Sequence, residues 1–191
     1  DAFRYGCEGM MAIHWRTAAI SPNITALARA GWDFDGADGT NPSGRGVAGK
    51  MPGMDAYWAD WGQGTFGGDA GAQVGQVLQK FDGGHLRINA LVAGGAKTTE
   101  TSISEFFAPL HEMEGLRPRI RGAGNLERFD YWFNLIRATH LRVRTWVLAG
   151  RLAAKMNEVN AIPEADNRAS FVRKEILPLR VAIARHYEDL I

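Results

Sequence analysis

The sequence predicts an α-rich α/β fold, in which a strand-to-helix unit near the N-terminus leads into a helical C-terminal region with two long antiparallel helices. Residues 9–14 (GMMAIH) form a short, continuous apolar run of the kind that suits a buried parallel strand. Of the 23 glycines, 22 lie at or before Gly124, so regular helix is expected in the last third of the chain. There, apolar residues recur at steps of three and four, which is the spacing of one helix face.

The first predicted segment, residues 1–53, contains a β/α unit followed by a loop. After the strand at 9–14, the tripeptide Ser21-Pro22-Asn23 is typical of a helix start. Strand, short loop and helix together make one β/α unit. Residues 33–53 are rich in glycine and show no periodicity, so they are predicted to form a loop.

The second predicted segment, residues 54–121, consists of helices and loops that pack on the first. A helix over 54–66 places Tyr57, Trp58 and Trp61 at neighbouring positions, and the two tryptophans are expected to lie in the core. Asp69 is a candidate cap for the following helix.

A second strand is predicted from His85 to Val92, later in the same segment. Beyond it, Ser102 and Glu105 have the spacing of a capping box, which predicts a further helix.

The third predicted segment, residues 122–191, is a long helical hairpin. Asn125 is a candidate cap for a helix that runs to about Asn160. Pro163 suits the first position of the last helix, and Pro178 is expected to kink that helix. The buried stripe of the first long helix is predicted to comprise Leu126, Phe129, Phe133, Ile136 and His140.

Composition excludes several functional classes. The net charge of +1 gives no basic surface for nucleic acid or an anionic membrane, and no apolar stretch reaches the roughly 18 residues that span a bilayer. Cys7 is the only cysteine, so an internal disulfide and a cysteine-based metal site are excluded. The acidic loop around Asp33, Asp35 and Asp38 lacks the final Glu of a calcium loop, so we expect no metal and no cofactor.

The first candidate site is His14-Trp15-Arg16, directly after the predicted strand. Polar groups at the carboxyl end of a buried parallel strand occupy the usual ligand position of barrels and doubly wound sheets. Arg16 could bind a carboxylate or a pair of hydroxyls, and His14 could donate to a sugar hydroxyl. The alternative is that both satisfy loop carbonyls.

Two further sets are candidates for substrate binding. Trp32 lies beside the glycine-rich loop, where its ring could stack on a sugar or fill the core. Asn125, Glu127 and Arg128 lie at a helix start after Gly122 and Gly124, where backbone N–H groups can hold an anion or hydroxyl. The alternative for this set is a capping and salt-bridge patch.

The sequence also resembles a known family. The run YGCEGMMAIHWRT, followed by SPNITALARAGWD, resembles a late strand–loop–helix of (β/α)8-barrel glycoside hydrolases. The run YWADWGQGTFGGDAGAQVGQVLQKFDG is similar to helices after the barrel in exo-acting α-glucuronidase and hexosaminidase-type enzymes. The resemblance covers mainly residues 5–83, with a weaker likeness in GNLERFDYW.

The resemblance implies the last β/α unit or units of a TIM-like barrel followed by helices. Since a whole barrel takes typically about 250 residues, the chain is then expected to be the C-terminal part of a larger enzyme. The implied function is hydrolysis of O-glycosidic bonds, with an oligosaccharide or polysaccharide as partner and another polypeptide segment or chain completing the barrel. No catalytic residue is assigned, because the two carboxylates of glycosidases commonly lie on earlier strands. A secreted or periplasmic location fits this function, without deciding it.

Two other functions remain open from the sequence. One is a non-catalytic carbohydrate-binding module, in which the Trp-rich half recognises a glycan. The other is a helical interaction or assembly domain, which an exposed apolar patch around Met10, Met11 and Ile13 would favour.

Overall fold

The computed structural model describes residues 18–32 (the last three as backbone only) and 53–189. This part of the chain is helical apart from short turns and contains no strand. The predicted α/β class is therefore wrong, as are the TIM-like barrel and the glycoside hydrolase resemblance that implied it. The strand predicted at residues 9–14 lies outside the described residues.

The chain divides into two compact units, a first unit of Asp1–Gln79 and a second unit of Lys80–Ile191. This division falls inside the predicted middle segment 54–121. The helices of the first unit are α1 (Ser21–Trp32), α2 (Met54–Phe66) and α3 (Gly68–Gln79).

Glycines set the packing of α2 against α3. A Cβ built at Gly75 would overlap the Trp58 carbonyl oxygen, and one at Gly71 would lie 2.6 Å from the Gly62 carbonyl oxygen. The turn between the two helices uses Gly67 at φ 81°, a conformation that side chains other than glycine rarely adopt. The two backbones therefore approach each other more closely than any larger residue would allow.

The core of the first unit is a chain of edge-to-face aromatic rings. Trp58 lies 5.5 Å from Trp61, and Trp61 lies 5.6 Å from Phe66, measured between ring centroids. Trp58 and Trp61 are each 7% exposed, which confirms the prediction that they belong to the core. The Tyr57 hydroxyl donates a hydrogen bond to the Pro22 carbonyl, which ties α1 to α2, and burial raises the pKa of Tyr57.

The second unit is built around one long helix. In chain order its helices are α4 (Gly84–Gly94), α5 (Glu100–Phe107), α6 (Pro109–Leu116), α7 (Ala123–Asn160), α8 (Ala165–Phe171) and α9 (Leu177–Glu188), with a π-helical turn at Val172–Ile176 between the last two.

The predicted strand from His85 to Val92 lies within α4 and is wrong. Alternate apolar residues in this run fit a strand, but a helix with the same sequence brings Ile88, Leu91 and Val92 to one side. These three side chains are partly buried, whereas Leu86, which would share the apolar face of a strand, is 67% exposed. The short run was compatible with both periods, and packing selected the helical one.

Caps on two helices differ from the prediction. The cap of α5 is Thr99, whose hydroxyl accepts a hydrogen bond from the Ser102 backbone N–H, so Ser102 is the third residue of the helix and not its cap. The helix α7 begins at Ala123 after Gly122, and Asn125 therefore lies in its first turn.

Several contacts hold α7 against the segments before it. Gly150 passes close to Gly95, where an added Cβ would lie 2.8 Å from the Gly95 Cα atom. Glu100, the first residue of α5, lies 3.4 Å from both Arg144 and Arg151. Arg151 also donates to the Thr98 carbonyl oxygen at 2.6 Å. These contacts position the middle of α7 on the start of α5.

The chain reverses after α7, and the returning helix runs antiparallel to it. The Lys155 ammonium lies 5.6 Å from the centre of the Phe171 ring, while further along both helices His186 lies near enough to His140 to lower its pKa. The π-helical turn ends two residues before Pro178, which has no N–H for the helix ladder, and the kink expected at Pro178 stays a prediction.

Candidate interaction surface

The structure locates only part of the predicted sugar site. His14, Trp15 and Arg16 lie outside the described residues, as does the acidic loop around Asp33. Trp32 is the last residue of α1, and its side chain also lies outside the description. The structure therefore does not show these residues coming together.

The other predicted set, Asn125, Glu127 and Arg128, lies in the first two turns of α7. Asn125 donates from Nδ2 to the Arg121 carbonyl oxygen at 2.8 Å, and Arg128 donates to the Asn125 Oδ1 atom. These hydrogen bonds hold the start of α7 to the preceding turn, as in the capping alternative. Glu127 is exposed.

An ion pair ties the same helix start to the 3₁₀ turn Arg117–Arg119 that follows α6. Arg117 donates from Nε and Nη2 to the two carboxylate oxygens of Asp130, both at 2.8 Å. The hydrogen bond from Arg117 lowers the pKa of Asp130, and the same bond raises the pKa of Arg117. The pair therefore holds the first two turns of α7 against the turn that precedes them.

A surface that the sequence reading missed lies on the solvent side of α7. Tyr131, Leu135, Trp146 and Met156 are 41%, 37%, 42% and 43% exposed, although all four are large and apolar. Steps of three and four residues place them on one line along the helix. This line, called the outer stripe below, comprises Tyr131, Leu135, Ala138, Arg142, Trp146, Ala149, Ala153 and Met156.

The outer stripe is distinct from the two faces of α7 that are already covered. Phe129, Val143 and Val147 are fully buried on the face toward the core, and Leu148 and Val159 are also buried. The helix therefore has large apolar side chains on the outer stripe as well as on its buried face. An exposed, contiguous apolar face of this kind indicates a contact with another molecule.

Arg142 is the only charged residue of the outer stripe. Its guanidinium carbon lies 4.8 Å from the centre of the Trp146 ring, in a cation–π contact along the helix. The arginine stem and the indole ring therefore form one continuous surface at the middle of the stripe.

A groove lies between α4 and α5, with a volume of about 460 Å³. Its lining carries both signs of charge, from Arg87, Lys97 and Glu105, above an apolar floor that includes Leu91 and Phe106. The Arg87 guanidinium is held over the Phe106 ring at 5.0 Å. The groove has room for a small polar molecule.

His140 is the most perturbed histidine of the described chain. Its ring stacks on Phe107 at 4.5 Å, and burial lowers its pKa, with a further lowering from Arg144. Glu100 acts in the opposite direction. The remaining titratable groups that act on His140 are His111 and His186. The neutral imidazole is therefore the form that packs best in this core.

Two other kinds of site are not found in the described part of the chain. No group of three or more His, Cys, Asp or Glu side chains there could hold a metal ion. No helix within residues 18–32 and 53–189 has both the length and the apolar character needed to cross a bilayer.

Comparisons with protein-family models, with curated proteins and with solved structures find no match. The glycoside hydrolase resemblance is supported neither by a barrel in the described residues nor by a matching relative, and the glycosidase interpretation built on it is withdrawn. Carbohydrate binding by Trp32 or by the start of α7 stays a prediction.

Proposed function

We propose that this chain is a helical interaction module, which docks the outer stripe of α7 against an apolar α-helix of another protein chain. The observation that carries the proposal is the exposure of four large apolar side chains along one line of a helix whose core face is fully buried. Single exposed apolar residues are common on soluble proteins, but a contiguous stripe is typical of a binding surface.

The shape of the stripe favours a helix as the partner. Tyr131 and Met156 lie 25 positions apart, which is about 38 Å at the rise of an α-helix. A surface this long and only one helix face wide matches the ridge of a second helix, which anchors through side chains at steps of three and four. The small residues Ala138, Ala149 and Ala153 provide hollows between the large ones.

The rigidity of α7 supports the same function. Its start is held by the Arg117–Asp130 pair, its middle by Glu100 and by the Gly95–Gly150 contact, and its C-terminal part by the Lys155–Phe171 contact. A helix fixed in this way presents its outer face in the bound conformation, so that association costs little ordering of the chain.

Site-specific photocrosslinking tests the proposal. A p-benzoylphenylalanine is placed at position 135 on the stripe or at the adjacent exposed position 134 beside it, in the whole chain. We expect strong crosslinks to protein from position 135 and weak ones from position 134, with the crosslinked residue identified by mass spectrometry. The position-135 crosslink should disappear when Trp146→Glu is added, because a charge on the stripe must be desolvated on docking. Equal crosslinking from positions 134 and 135, in the purified protein and in cell extract, would contradict the proposal.

A further inference from the structure

We infer that the partner of the outer stripe is a second copy of this chain, packed so that the two α7 helices run antiparallel. The inference rests on the proposed function and adds to it the identity and the direction of the partner. It follows from the order of large, small and charged residues along the stripe.

Antiparallel pairing about a two-fold axis near residue 144 brings the stripe into register with itself. Position 131 then comes opposite 156, 135 opposite 153, 138 opposite 149, and 142 opposite 146. The four pairs have nearly the same midpoint, so the register of the two helices shifts by at most one residue over the whole stripe, or about 1.5 Å along the helix axis. Self-complementarity of this kind is what a two-fold interface requires.

The pairs formed in this register are sterically compatible. Leu135 meets Ala153, so that a large side chain enters a hollow. Ala138 meets Ala149 and lets the two helix backbones approach closely. Tyr131 and Met156 meet at both ends, where a flexible thioether adapts to an aromatic ring.

Charge distinguishes this arrangement from a parallel one. In a parallel, in-register pair the two Arg142 side chains would lie opposite each other, which is unfavourable for like charges that leave water. In the antiparallel pair each Arg142 lies opposite the partner copy's indole at position 146. The arginine would then repeat across the interface the cation–π contact that it already makes with its own Trp146 at 4.8 Å. Antiparallel helix dipoles add to this preference.

The ends of the stripe agree with the same register. On the side of the stripe, the exposed residues beyond Tyr131 are Glu127 and Arg128, and those beyond Met156 are Asn157 and Asn160, while the exposed Glu158 lies on the opposite side of the helix. In the antiparallel pair the charged end of one copy meets the amide end of the other, so no two like charges are opposed. An amide can donate to Glu127 and accept from Arg128.

The size of the stripe sets the expected strength. About 38 Å of helix, one face wide, corresponds to roughly 400 Å² for each copy and roughly 800 Å² in total. This is below the size of most stable protein interfaces, so the dimer should dissociate on dilution.

Sedimentation equilibrium of the whole chain, from about 1 μM to about 500 μM, tests for the dimer. We expect a monomer–dimer equilibrium that Trp146→Glu weakens at least tenfold and that the neighbouring exposed substitution Asn134→Glu leaves unchanged. Circular dichroism of both variants checks that the helices remain folded. A wild-type chain that stays monomeric throughout would overturn the inference. If position 135 still crosslinks to another protein in that case, the proposed function survives without the dimer, and if it does not, both fail.

Disulfide trapping tests the direction, in a Cys7→Ser background. Mixing the Leu135→Cys and Ala153→Cys proteins under mild oxidation should give a disulfide between them, while each protein alone gives little. The control mixture replaces Leu135→Cys by Asn134→Cys, next to the stripe, and should trap weakly. A Leu135→Cys protein that readily forms a disulfide with itself would show a parallel pair and overturn the inferred arrangement.

Discussion

At the scale of single residues, the buried His140 is expected to make the stability of the second unit depend on pH. Its imidazole is stacked on Phe107, and burial followed by the charge of Arg144 lowers its pKa below the ordinary value of 6.5. In the unfolded chain this histidine takes up a proton at a higher pH than in the folded chain. The stabilising effect of the neutral ring is therefore present above about pH 6.5 and is lost as the pH falls through the lower, folded-state pKa.

His140→Gln should reduce the loss of stability on acidification, because glutamine is polar and does not titrate. We expect the free energy of unfolding, measured by urea denaturation between about pH 7 and pH 5, to fall less steeply with decreasing pH in this variant than in the wild type. The matched control is His111→Gln, since the His111 side chain is 87% exposed. If His140→Gln and wild type lose stability in parallel, His140 does not carry the pH effect.

The individual candidate residues show what sequence can and cannot predict at this scale. The core position of Trp58 and Trp61 was predictable, because helical spacing of large rings has a packing explanation in the sequence itself. The hydrogen bond from Arg128 to Asn125 fits the predicted capping alternative for that patch. The Glu100 contacts to Arg144 and Arg151 were not predictable, since 44 and 51 positions separate the partners and no local pattern records them.

At the scale of elements, the close packing of α2 and α3 predicts how glycine-to-alanine substitutions change the free energy of unfolding. Gly75→Ala places a methyl group against the Trp58 carbonyl, whereas a methyl at Gly64, in α2, meets nothing within 4 Å. We expect Gly75→Ala to lower the free energy of unfolding by about 1–3 kcal/mol through overpacking. Gly64→Ala should raise it by up to about 1 kcal/mol, because alanine is the better helix former. Chemical denaturation followed by circular dichroism measures both, and equal effects of the two substitutions would contradict the close packing.

The same helices explain why the sequence was misread at this scale. Glycine is disfavoured inside helices, yet Gly62, Gly71 and Gly75 lie within α2 and α3, where they allow close helix-to-helix contact. The run at His85–Val92 is too short for its period to decide between strand and helix. In contrast, the helix predicted from Asn125 to about Asn160 corresponds closely to α7, Ala123–Asn160, because many turns of consistent spacing define it.

At the scale of the whole molecule, a barrel could not be predicted from these residues alone, because it required strands from outside the chain. One apolar hexapeptide and a likeness in a few short sequence runs cannot specify strand pairing, which is a long-range property. The covered and uncovered faces of α7 are likewise a tertiary property. The sequence shows that α7 is apolar on more than one side, and only the fold shows that α9 covers one flank and leaves the outer stripe exposed.

The division between Gln79 and Lys80 leads to a final prediction, that residues 80–191 fold without the first unit. The second unit has its own core and its own internal contacts. At its start, Phe81 packs on Phe106 and Lys80 pairs with Glu112 at 2.6 Å. Phe129 and Val143 are fully buried within it. A unit of this size can bury enough apolar surface to be stable alone. The isolated segment should show helical circular dichroism and a cooperative thermal transition. Phe129→Ala in the segment should remove about 3–5 kcal/mol and so abolish or strongly lower that transition. A segment that is helical but melts without cooperativity, or that needs residues 1–79 to fold, would show that the two units form one cooperative structure.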